Sequence, residues 1–125
     1  MRILPATGRR LIRYNASLRT VKDVISSSKV EQFSTGISAT PIARRGTWRR
    51  WLAKQNLEMR GFVQLDWSLS RDEVLNYERW LFENLSAHRK YAKQAHDRHQ
   101  PNASQHDEQC VYLVWWGSMP EELDA

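Results

Sequence analysis

Residues 62–85 read FVQLDWSLSRDEVLNYERWLFENL, and the fold turns on this stretch. After Phe62 the chain alternates. Val63, Leu65, Trp67 and Leu69 are apolar while Gln64, Asp66 and Ser68 are polar, the period of a half-buried strand. Then the period changes. Ser70 stands three residues before Glu73, the spacing at which a serine hydroxyl accepts from an early helical amide and the glutamate reaches back. Asp72 and Glu73 also place negative charge at the positive end of a helix dipole. Val74, Tyr77, Leu81, Leu85, His88 and Ala92 recur every three or four residues and predict a long amphipathic helix from Arg71 to about Arg98. Trp80, Phe82 and Leu75 flank that face. Pro101-Asn102 stops the helix, whose second half is much more polar.

Moving toward the C-terminus, Cys110 to Trp116 reads Cys-Val-Tyr-Leu-Val-Trp-Trp. A continuously apolar run of this length, closed by Gly117, predicts a strand covered on both faces. Trp115 and Trp116 are adjacent, so on a strand their indoles point to opposite faces. Moving toward the N-terminus, Thr47 is a candidate N-cap for a short helix from Trp48 to about Arg60, with Gly61 as its stop. Trp48, Trp51, Leu52 and Gln55 share one side of that helix, and the Arg49-Arg50 pair points elsewhere. The expected order is short helix, strand, long amphipathic helix, strand: an α+β (or small α/β) domain over residues 46–125.

Residues 1–45 differ in composition. They carry nine basic side chains against Asp23 and Glu31, net +7, whereas residues 46–125 are net −2 and hold all six tryptophans. If residues 9–25 are helical, Leu11, Tyr14, Leu18, Val21 and Ile25 fall within about 80° of one another, with Arg9, Arg13, Arg19 and Lys22 outside that sector. A Ser/Thr-rich stretch follows, from Ser26-Ser27-Ser28 to Thr40-Pro41. An arginine-rich, acid-poor, Ser-rich amphipathic N-terminus has the composition of a mitochondrial transit peptide. Residues 1–45 are therefore expected to be a basic, largely non-core arm, either a transit peptide with a processing point near Arg13-Tyr14 or Arg44-Arg45, or a flexible extension. The protein is expected in the mitochondrion.

Several classes are excluded. No apolar run approaches the ~20 residues of a transmembrane helix. A lone cysteine, Cys110, cannot form an internal disulfide. The glycines at 8, 36, 46, 61 and 117 are too scattered for a phosphate-cradling loop. No carboxylate pair suits acid–base work, since Glu78 and Glu83 point to different sides of the long helix. No enzyme activity, small-molecule substrate or cofactor is implied.

Two strands make a marginal sheet, and eighty residues with six tryptophans offer few elements to cover so much apolar area. Trp48, Trp51, Trp80, Trp115 and Trp116 are accordingly expected to anchor protein partners, because an indole buries a large area with one donor to satisfy. That makes the protein a non-enzymatic accessory subunit or assembly factor of a mitochondrial complex, of respiratory-chain or ATP-synthase type. An alternative is a nucleic-acid-binding protein such as a mitochondrial ribosomal subunit, in which the basic arm and the patch of Arg49, Arg50 and Lys54, beside two stacking indoles, neutralise phosphates and RNA is the partner. A second alternative is a small zinc protein built on His96, His99, His106 and Cys110, whose imidazoles and thiolate suit a tetrahedral ion.

Overall fold

In the computed structural model, which describes residues 8–93 and 108–120, helices and strands alternate along the chain. The order is α1 (Gly8–Ile25), β1 (Gln32–Ser38), α2 (Pro41–Lys54), β2 (Leu57–Leu69), α3 (Arg71–Leu85) and β3 (Gln109–Ser118). The strands form one antiparallel sheet in the order β1-β3-β2, and the fold is α+β.

The apolar run at the C-terminus takes the central place. β3 pairs with β1 from Gln32↔Trp116 to Ser38↔Cys110, and with β2 from Leu57↔Ser118 to Leu69↔Gln109. Alternate side chains of β3 build two cores. Val111 and Leu113, with Trp115 beside them, meet α1 and α3 on one face. Cys110, Tyr112, Val114 and Trp116 meet Trp48 and Leu52 of α2 on the other. Both faces are covered, as the lack of polar alternation requires.

Residues 8–45 do not form a non-core arm. Tyr14, Val21 and Ile25 of α1 are buried against α3 and the sheet, with Leu18 packed beside them. The Tyr14 ring lies 4.3 Å from Tyr77 and 5.3 Å from Trp80. The Tyr77 hydroxyl donates to the Arg13 carbonyl at 2.9 Å and bonds the Ser17 hydroxyl. The apolar stripe expected on residues 9–25 is real, but α3 covers it. β1 is the third strand, so the expected shortage of elements does not arise. Its small side chains have a reason: a Cβ on Gly36 would lie 2.4 Å from the Tyr112 hydroxyl. The Ser/Thr-rich composition that suggests a non-core segment is what lets a tyrosine lie across this strand. A boundary at residue 46 also falls inside α2, not between units.

Other boundaries move for local reasons. α2 begins at Pro41, whose fixed φ and missing N–H suit the first turn, so Thr47 is mid-helix and donates to Ala43 O. Asn56, at φ 58°, ends α2 where Gly61 was expected to. Gly61 instead lies in β2 beneath Trp115, with no room for a side chain: a Cβ there would fall 1.9 Å from the indole. Irregular pairing between Gln64 and Asp66 and between Asp66 and Leu69, with Ser68 at φ 56°, breaks the alternation of β2 and turns Trp67 outward. The Ser70 cap forms as the sequence implies, accepting from Glu73 N at 3.3 Å. α3 stops at Leu85, well short of Arg98. Tyr91 packs on Phe33 and Phe82, and the 91–92 segment joins the outer edge of β1, where Phe33 N donates to Lys90 O and Ala92 N donates to Phe33 O, both at 3.0 Å. Lys90 is buried, its ammonium donating to Ile25 O at 2.6 Å and Ser27 O at 2.9 Å at the negative end of α1.

Candidate nucleic-acid interface

α2 is fixed in rotation by two residues. The Trp48 indole stacks on Trp116 at 5.6 Å and donates through Nε1 to the Tyr112 hydroxyl at 2.8 Å, and Leu52 is buried one turn later. Burial pushes the Tyr112 hydroxyl pKa up, against the smaller pulls of the Trp48 hydrogen bond and the Arg44 charge. With Trp48 and Leu52 pinned inward, Arg45, Arg49, Arg50 and Lys54 are exposed and Arg44 is half-buried. The helix contains no acidic residue, and none occurs between Glu31 and Glu58. Among the described residues the ion pairs are Arg13–Asp66, Arg60–Glu58 and Arg79–Glu83, so no α2 cation is neutralised by one. Five like charges on fourteen residues repel one another and cost stability, and among the described residues no ion pair offsets them.

α1, on the other face of the sheet, is basic in a different way. Arg13 forms a two-pronged contact with Asp66, at 2.9 and 2.8 Å, which raises its pKa and removes its free charge. Arg9, Arg10 and Arg13 line a cavity of about 170 Å³ with Glu73 among them, a mixed rather than a cationic lining.

A larger cleft, about 350 Å³, opens where the last turn of α2 meets the start of β1 and residues 91–93. Gln32, Trp51, Gln55, Tyr91, Lys93 and Trp116 line it. The Trp116 Nε1 donates to Gln32 Oε1 at 3.3 Å across its floor.

The five expected partner anchors are distributed unevenly. Trp48 and Trp116 are core residues, since each closes the α2 side of the sheet and is buried. Trp80 and Trp115 are half-buried against the opposite core, and Trp51 is half-buried at the cleft. The most exposed tryptophan is Trp67, at 61%, whose outward turn depends on an irregularity that alternation cannot foretell. Arg49, Arg50 and Lys54 are exposed on α2 as expected, and so is Arg45; at 100° per residue Arg45 and Arg49 lie about 40° apart, as do Arg50 and Lys54, with about 100° between Arg49 and Arg50. That addition was legible: the acid-free stretch between Glu31 and Glu58 runs across the compositional boundary at residue 46, and dividing the chain there splits the cluster.

Of the zinc candidates, Cys110 is buried on β3, and burial raises its pKa, which keeps the thiol protonated near neutral pH. His96, His99 and His106 lie outside the described residues. Among the described residues no group of three or more potential ligands comes together, and no helix is long and apolar enough to cross a membrane. Comparisons with protein families, curated proteins and solved structures found no match.

Proposed function

We propose that the protein binds nucleic acid through the outer face of α2. The observation that carries this is the helix itself: five cations, no acid, and a buried edge held by Trp48 and Leu52 that leaves four of those cations in solvent. Such a surface gains from releasing the counterions that surround a phosphate backbone. Trp51, half-buried on the same helix, adds a stacking surface. Protein-partner anchoring is the weaker reading, because Trp48 and Trp116 already have intramolecular neighbours; it would run through Trp67 and Ile42, which is 90% exposed. An accessory role in a mitochondrial complex, and the mitochondrial address, rest on the composition of residues 1–45. Processing at Arg44-Arg45 would remove α1 and β1 with their core side chains, which speaks for an uncleaved segment. The test is fluorescence anisotropy with a labelled single-stranded oligonucleotide across a salt series. Affinity should fall steeply as salt rises, with log K against log salt giving a slope of about −2 to −3 for three or four phosphate contacts. Absence of binding at low salt would reject the proposal.

A further inference from the structure

The cleft at the end of α2 has a lining that the cationic face does not explain. Phosphate neutralisation needs no aromatic walls, yet Trp51, Tyr91 and Trp116 surround this cavity of about 350 Å³. Two carboxamides, Gln32 and Gln55, and one ammonium, Lys93, complete its rim. An apolar pocket with a few convergent polar groups takes a small, flat, partly polar body. We infer that the cleft receives an unpaired nucleobase of a single strand whose phosphates lie on α2, an assignment that rests on the nucleic-acid reading above.

Three features select this occupant. First, Trp51 is only half-buried, so part of its indole is open to the cleft, while its T-shaped contact with Trp48 at 5.7 Å holds the ring in place. A base stacks on such a fixed ring without sequence demand, since every base has a π-face. Second, Gln32 is oriented. Its oxygen is engaged by the Trp116 indole, which leaves the amide NH2 to donate at the cleft. Base carbonyls at a Watson–Crick edge are acceptors for that donor, and in a duplex those edges are already paired, so the site suits an unpaired base. Third, positive charge lies near the mouth. Lys93 lines the cleft, and at 100° per residue Lys54 lies about 60° around the helix from Trp51, so cations stand near where the backbone flanking an inserted base would run.

The experiment compares an oligo(dT) 15-mer with an abasic 15-mer of the same backbone, by anisotropy, using the full chain. The wild-type protein should bind oligo(dT) about 5- to 100-fold more tightly than the abasic strand. Trp51→Ala should bring the ratio close to one by weakening oligo(dT) binding, and Trp51→Phe should keep most of the preference. Gln55→Ala, at an exposed position that does not disturb the core, should lower the ratio severalfold. Equal wild-type affinity for both strands, with a steep salt dependence, would overturn the base site while leaving phosphate binding intact. Absence of binding to either strand would remove both proposals.

Discussion

Gly61 and Lys90 show how much single positions carry in this domain. At Gly61 the Trp115 indole occupies the volume that any side chain would need. Gly61→Ala should therefore destabilise the protein by about 1–3 kcal/mol, the usual cost of overpacking, seen as a lower denaturation midpoint in urea. Lys90 follows Arg89 in the chain, and its ammonium closes the C-terminal end of α1 through two carbonyls. Lys90→Met keeps much of the stem and removes the donors. The expected loss is about 1.5–3 kcal/mol, the range for hydrogen bonds to a charged group, and an unchanged midpoint would show that the carbonyls find other partners. Neither role is visible in sequence. A glycine that ends a helix and one that yields to an indole look alike, and a lysine's partners depend on which helix terminus the fold brings near.

Elements were legible to the degree that their signals are local. The Ser70 cap, the face of Val74, Tyr77, Leu81 and Leu85, and the apolar run of β3 follow from spacing within a few residues, and each stands where spacing puts it. α1 was legible as an amphipathic helix from Leu11, Tyr14, Leu18, Val21 and Ile25, but a stripe does not say what covers it, and its true cover, α3, is some sixty residues away. β1 was hidden because the Tyr112 ring that lies across Gly36 demands a small residue where strand statistics favour bulk. The basic face of α2 was visible in part, through Arg49, Arg50 and Lys54, and the aromatic cleft was not, because its walls come from β1, α2, β3 and residues 91–93. These long-range contacts make α1 and β1 integral. A fragment of residues 46–125 leaves the outer edge of β3 unpaired and the α3 face uncovered. It should show no cooperative thermal transition and no near-ultraviolet circular dichroism. A sharp transition in that fragment would restore the separable arm.

For the whole molecule, burial sets the pH range of stability. The hydroxyls of Tyr14, Tyr77 and Tyr112 and the thiol of Cys110 are all pushed up, in each case chiefly by desolvation. In the unfolded chain the thiol ionises near 8.5 and the phenols near 10. Above those values the unfolded chain has released protons that the native state still holds, so stability falls as pH rises. The contribution is fully present below about pH 8.5 and is lost progressively above it, more steeply beyond pH 10. Melting temperatures from pH 7 to 11 should be level at first and then decline; a level profile to pH 11 would mean that these groups reach water in the native state.

Both α1 and α2 are basic, but among the described residues only α1 has a cation paired with an acid, Arg13 with Asp66, and the nucleic-acid interface depends on the unpaired charge of α2. Its most direct test sets two doubly substituted proteins of equal net charge side by side: Arg45→Glu with Arg49→Glu on α2, and Arg19→Glu with Lys22→Glu on α1. Single-strand affinity is measured for each across a salt series. The α2 pair should lose about tenfold or more in affinity and flatten the salt slope by about one to two units, while the α1 pair stays near the wild type. Equal losses in the two proteins, or a loss confined to the α1 pair, would contradict an interface on α2.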